Sequence, residues 1–241
     1  MSKPKAILCF SGGKDSSYCL YKILQACVYD VCYLLTTING NLHRISMHGV
    51  REELLDAQAA SIGIPLLKVY TYEASNAAYE KAMEEALLKV KAEGIEHVIF
   101  GDIFLEDLRT YRENNLARVG MQAIFPLWKM DTKTLVADFL SVGFKTITCC
   151  VNDAWLDETF VGKVIDESFI QSLPANVDAC GENGEFHTFC FDGPIFKSPV
   201  HFTTGEKVYM PLNIPAANDC PVSDDAAKTN GFWYSELLSN S

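Results

Sequence analysis

Lys5-Ala6-Ile7-Leu8-Cys9-Phe10-Ser11-Gly12-Gly13-Lys14-Asp15-Ser16 decides the fold. An apolar run predicts a strand over 5–10, and helical periodicity predicts a helix over 16–27. The six residues Ser-Gly-Gly-Lys-Asp-Ser join them. Two glycines let the backbone take positive φ and approach a ligand closely. The helix that follows aims its unpaired N–H groups and the positive end of its dipole into the turn. Lys14 adds a full charge, and the Ser11 and Ser16 hydroxyls can donate to phosphate oxygens. A carboxylate beside phosphate is repulsive unless a cation lies between them, so Asp15 reads as a magnesium-side residue. The stretch is not GxxxxGK[ST] and not GxGxxG, which excludes the common hydrolase loop and the dinucleotide fingerprint.

Outward from this stretch, strands are predicted at 30–36, 65–70 and 95–100, alternating with helices at 49–61, 76–92 and 104–119. Alternating β and α implies a parallel sheet covered on both faces, with the ligand site at the carboxyl ends of the strands. A strand at 122–127, a helix at 132–142 and a strand at 145–151 continue the pattern, and a short helix is predicted over 161–171. Beyond Pro174 the chain turns to glycine-rich loops and short β segments. Thr203-Thr204-Gly205-Glu206 reads as a hairpin turn between 200–202 and 207–210, 213–230 as a surface loop, and Phe232-Trp233-Tyr234 as a last strand. We divide the chain into a phosphate-binding domain over 1–128 and a smaller α+β substrate lobe over 129–241.

A chain of 241 residues that is 49% hydrophobic and 21% charged can bury a full core and has an ordinary globular balance. No apolar run reaches the length of a membrane span. The N-terminus lacks the apolar stretch of a secretory signal, and the nine cysteines are mostly in apolar segments with no C-x-x-C pair. Reduced thiols in a cytoplasmic protein are the expectation. A net charge of −11 with scattered basic residues argues against a nucleic-acid partner.

Three further places carry candidate chemistry. Gly101-Asp102 follows the 95–100 strand, so Asp102 stands beside the phosphate loop. It contacts the bound phosphate ligand, magnesium or a second substrate, or it caps the next helix. On that helix Glu106, Arg109, Arg112 and Glu113 are spaced as a solvated ion-pair face. Met47 can pack on a base, and His48 can hydrogen-bond it or start a helix. In Cys180-Gly181-Glu182-Asn183-Gly184-Glu185-Phe186-His187-Thr188, Glu185 and His187 share a strand face, which suits substrate binding or proton transfer. A metal set of Cys180, His187 and Cys190 lacks a fourth ligand, and a Cys180–His187 nucleophile pair is the other minor reading.

Ser-Gly-Gly-Lys-Asp-Ser resembles the pyrophosphate loop of the ATP pyrophosphatase superfamily, whose members cleave ATP between the α and β phosphates. Taken in order with Gly101-Asp102-Ile103, Phe125-Pro126-Leu127-Trp128 and the 180–188 stretch, it resembles the diphthine–ammonia ligase family over roughly residues 5–200. The resemblance implies an α/β fold whose parallel-sheet nucleotide-binding domain is HUP-like (adenine nucleotide alpha hydrolase-like), with a smaller C-terminal α+β lobe. It implies a ligase that uses ATP and Mg2+, adenylates a carboxylate and transfers ammonia. The acceptor is diphthine on elongation factor 2, or another carboxylate in a bacterial member. It also implies nucleotide binding by Ser11, Gly12, Gly13, Lys14, Asp15, Ser16, Met47, His48, Gly101 and Asp102. Catalysis falls to Lys14, Asp15, Glu185 and His187, and substrate binding to Glu182, Gly184, Glu185 and His187. A tRNA-modifying pyrophosphatase and a non-catalytic nucleotide sensor are the rival readings, and an oligomer is compatible with all of them.

Overall fold

The computed structural model describes residues 3–46, 48–73, 75–212 and 229–240. Met47 and most of the expected 213–230 loop lie outside them. The first sheet comprises β1 (Lys5–Cys9), β2 (Asp30–Asn39), β3 (Arg44–Ile45), β4 (Leu66–Thr71), β5 (His97–Ile99) and β6 (Gln122–Ile124). Its five parallel strands run β4-β2-β1-β5-β6, and β3 folds back antiparallel on the end of β2. Ala6, Ile7 and Leu8 are fully buried, as befits a central strand covered on both faces.

Helices α1 (Lys14–Ala26) and α2 (Glu52–Ile62) cover one face. Helices α3 (Asn76–Ala92) and α4 (Glu106–Arg118) cover the other. The crossover thus changes sides between β1 and β5. That point is a topological switch, where the loops after the two strands diverge and leave a crevice. The two loops are 10–13 and 100–105.

The second sheet is antiparallel, in the order β8-β7-β10-β9. It comprises β7 (Lys145–Asn152), β8 (Phe186–Asp192), β9 (Phe202–Pro211) and β10 (Gly231–Ser239). Helix α5 (Thr132–Ser141), capped by Asp131 accepting the Thr134 N–H at 2.8 Å, leads into it. The sheet packs on the α1/α2 face, where Phe186, Phe189 and Cys190 share one core with Leu8, Leu20 and Leu55.

Two expectations fail. Residues 203–206 are no hairpin turn: β9 runs straight through them, and Gly205-Glu206 face one residue of β10 in a bulge between Thr204↔Leu237 and Lys207↔Ser235. The partner strand is about 30 residues downstream, so local turn chemistry misleads. The helix over 161–171 shortens to α6 (Glu167–Ser172), because Val164 bridges β7 and Asp166 caps the helix by accepting the Phe169 N–H.

Candidate active site

The Ser11–Ser16 stretch lies at the switch point. Gly12 takes φ +76, and a Cβ there would stand 2.4 Å from Gln58 Oε1. Gly13 caps α1 without any side-chain bond. Gly101, after β5, approaches so closely that a Cβ would meet Ser16 N at 3.2 Å. The Ser11 and Ser16 hydroxyls are 3.3 Å apart. Among the described residues no acceptor is bonded to the Gly12 and Ser16 amides. These groups fit an anion of phosphate size at a helix N-terminus.

Lys14 is 1% exposed. Its Nζ donates to Asp15 Oδ1 and Oδ2 at 2.7 and 2.8 Å and to the Cys180 carbonyl. Burial works against its charge, but Asp15, with Cys180 and Glu182 adding to it, holds the ammonium above the ordinary lysine range. Burial raises the Asp15 carboxyl, and Lys14 opposes the rise. Both Asp15 oxygens are spent on Lys14, so the expected magnesium-side role does not fit this arrangement. Among the described residues no three acidic, cysteine or histidine side chains form a metal set, including Cys180, His187 and Cys190. A magnesium carried on a nucleotide's own phosphates needs no such set.

The second sheet closes the crevice. Lys14 N donates to Thr188 Oγ1 at 2.9 Å, and Cys190 N donates to the Gly12 carbonyl at 2.8 Å. Gln58 of α2 is fully buried, and its Nε2 donates to both the Gly12 and Cys190 carbonyls. One amide thus ties α2, the loop and β8 together. His48 Nδ1 donates to the Thr188 carbonyl at 3.0 Å, and its ring lies 4.7 Å from that of His187. It does not start α2, whose N-cap is Arg51. Burial pushes His48 down to about 4 and His187 down to about 3, with Lys14 adding to both. Both imidazoles are neutral at pH 7.

Glu185, expected with His187 as a candidate for proton transfer, is otherwise engaged. It is fully buried, and its carboxylate accepts from Asp178 N (2.9 Å), Asn183 N (2.9 Å) and Asn183 Nδ2 (3.0 Å). It shapes the 178–185 loop. Gly184 serves the same loop through φ +83, with nothing within 4 Å of where a Cβ would stand. Glu182 crosses to the first sheet's loop, where Oε1 accepts from Ile103 N at 2.7 Å. Burial, with Asp15 and Asp102 adding to it, pushes Glu182 up to about 7. The Cys180 thiol donates to Thr132 O and is pushed up to about 12 by burial, which removes it as a nucleophile.

Asp102 caps no helix, since the α4 N-cap is Leu105. It pairs with Arg112, with Nε–Oδ2 at 2.6 Å and Nη2–Oδ1 at 3.1 Å, and Arg112 lies 4.4 Å over the Phe100 ring. Arg112 therefore leaves the expected solvated face, and Glu106 pairs with Lys129 rather than Arg109. Arg109 keeps Glu113 at 2.8 Å and lies over Phe125 and Trp128. Phe125-Pro126-Leu127-Trp128 supports the 101–105 loop, for Lys129 N donates to Ile103 O at 2.7 Å. Sequence reasoning missed Gln58 and Thr188, which act through partners far along the chain, and Arg112, whose partner Asp102 lies ten residues earlier.

A phosphate-fitting loop at the switch point of a parallel sheet, closed by a second antiparallel lobe, defines a nucleotide-binding α/β protein. Residues 4–123 match the Diphthamide synthase N-terminal domain and residues 131–213 the Diphthamide synthase C-terminal domain. The chain belongs to the diphthamide synthase family, which is a family of enzymes. It is 26% identical over 221 residues to a diphthine–ammonia ligase of Bos taurus, covering 82% of each chain. It is 26% identical over 245 residues to that of Danio rerio, covering 92% of this chain and 91% of the relative. Against the diphthine–ammonia ligase of Saccharomyces cerevisiae it spans 33% of the relative's length. No described helix is long and apolar enough to cross a membrane.

Proposed function

We propose that the chain is an ATP-dependent amide-forming ligase of diphthamide biosynthesis, working in the crevice between the 11–16 loop and the 178–188 stretch. Lys14 carries the reading: a buried cation at the first turn of α1, beside amides that have no acceptor among the described residues. The acceptor is the carboxylate of diphthine, the substrate in the relatives' names. The diphthine in this reading is carried on elongation factor 2, as the family resemblance implies.

One acceptor oxygen attacks the α phosphorus of ATP. The bond from that phosphorus to the α–β bridging oxygen breaks, and pyrophosphate leaves with the electron pair. Ser11, Gly12, Gly13 and Ser16 hold it through hydroxyl and N–H donors. Lys14 offsets the charge that develops, an interaction strongest in the transition state. Ammonia then attacks the acyl carbon, the bond from that carbon to the AMP oxygen breaks, and AMP departs.

Glu182 takes the proton from the attacking nitrogen. A carboxylate titrating near 7 is matched to that task at neutral pH. Glu185 is committed to its loop, and His187 is too weak a base at about 3. The neutral His48 and His187 rings line the nucleotide side as hydrogen-bonding groups. Asp102, fixed by Arg112, holds the 101–105 loop, and Gly101 gives the phosphates room.

The test is AMP and pyrophosphate release from ATP and ammonium, with and without elongation factor 2 carrying diphthine. AMP formed only with that acceptor is the expected result. ATP binding with no AMP under either condition would reject the acceptor.

A further inference from the structure

Strand β10 lies outside both stretches matched to the family's domains, 4–123 and 131–213. It nevertheless reaches the nucleotide side of the crevice. Glu236 on β10 accepts from Arg44 Nη2 at 2.9 and 2.8 Å and from Arg51 Nε at 2.5 Å. The other arm of the Arg44 fork, Nη1, donates to the Gly49 carbonyl at 2.7 Å. Gly49 takes φ +68, and a Cβ there would stand 2.7 Å from Tyr234 Cδ1, so the β10 tyrosine lies directly on this turn.

His48 is the preceding residue. Its Nδ1 donates to Thr188 O, and its Cε1 would be 2.9 Å from a Cβ on Gly13. A continuous chain of contacts therefore runs from Glu236 through Arg44, Gly49 and His48 to the glycine that caps α1. The Glu236 and Arg44 side chains are 23% and 29% exposed, so the pair is partly shielded from solvent. A planar guanidinium can serve two acceptors in fixed directions, which a lysine ammonium cannot reproduce.

We propose that Glu236 is a positioning residue for the nucleotide site: through the Arg44 fork it fixes the 48–49 turn and holds the His48 imidazole against the 11–16 loop. Calling that site a nucleotide site rests on the function proposed above. The contact chain itself does not.

The experiment is Glu236→Gln and Arg44→Lys in the full chain, read three ways. The His48 ring resonance is followed by NMR without nucleotide, ATP affinity by calorimetric titration, and Tm by thermal unfolding. Both variants should displace the His48 resonance, and ATP Kd should rise about three- to tenfold, the scale of one lost partly shielded contact. Arg44→Lys keeps a cation beside Glu236 and drops the Gly49 bond, so it decides the matter if Glu236→Gln fails to fold. A His48 resonance unmoved in the folded variants overturns the proposal, whatever happens to Tm. Failure of the unmodified protein to bind ATP would overturn the nucleotide reading alone, because the His48 signal would still decide the clasp.

Discussion

Glu185→Gln tests whether this residue is a scaffold or a base. The carboxylate accepts three N–H donors in a fully buried position. Glutamine keeps one carbonyl oxygen, which can still serve Asp178 N and Asn183 Nδ2, now as neutral bonds. A bond to a charged group contributes about 1.5–3 kcal/mol and a neutral one about 0.5–1.5 kcal/mol, so the two together lose roughly 2 kcal/mol. The third donor, Asn183 N, then faces an NH2 group, and an unmet donor costs about 1 kcal/mol more. The fold should therefore lose about 3 kcal/mol, a fall of roughly 6–12 °C in Tm for a chain of this size. Thermal unfolding followed by circular dichroism measures this, with AMP release assayed well below the transition. A scaffold residue gives the Tm loss and keeps a substantial part of the activity at low temperature. Unchanged Tm with abolished nitrogen transfer would refute the reasoning and return Glu185 to the role of base.

Lys14→Ala should lower AMP formation by about 10²- to 10³-fold if the ammonium supports the leaving group, and unchanged turnover would remove Lys14 from the mechanism. The rate of nitrogen transfer, measured at fixed free ammonia, should rise with pH through about 7 as Glu182 deprotonates, and Glu182→Gln should abolish that rise. A profile unaltered in the variant would transfer the base role elsewhere. His48 and His187, held at about 4 and about 3, should show no NMR titration between pH 5 and 8; a midpoint near 6.5 would contradict their burial. Their folded pKa values lie below the unfolded one, so the native state binds fewer protons. They destabilise the fold as pH falls below about 6.5, while Glu182, raised in the fold, works in the opposite direction between its ordinary range and about 7.

The first sheet was legible because its signals are local. The apolar run at 5–9 and the 3.6-residue periodicities of α1 and α3 needed no partner elsewhere. The phosphate loop was legible for the same reason, its chemistry being packed into six consecutive residues. What escaped depends on which partner the fold brings to a side chain, near or far along the chain. Glu185 and Glu182 look alike in sequence, and only the fold turns one toward its own loop and the other toward Ile103. Arg112 reads as a surface charge until Asp102, ten residues earlier, is brought beneath it. Gln58 sits amid an ordinary helical pattern, and nothing local marks the two carbonyls it joins.

The Lys14 N–H is bonded to a residue 174 positions away, and Arg44 to one 192 positions away. Closing loops of that length comes late, after the local contacts of the first sheet have begun to reward the chain. During synthesis the first sheet emerges with its phosphate loop open, Lys14 lacks the Cys180 carbonyl and Thr188 until β8 is available, and Arg44 lacks Glu236 until β10 follows. The cradle is thus a product of completed folding, and a half-made chain carries the motif without the site.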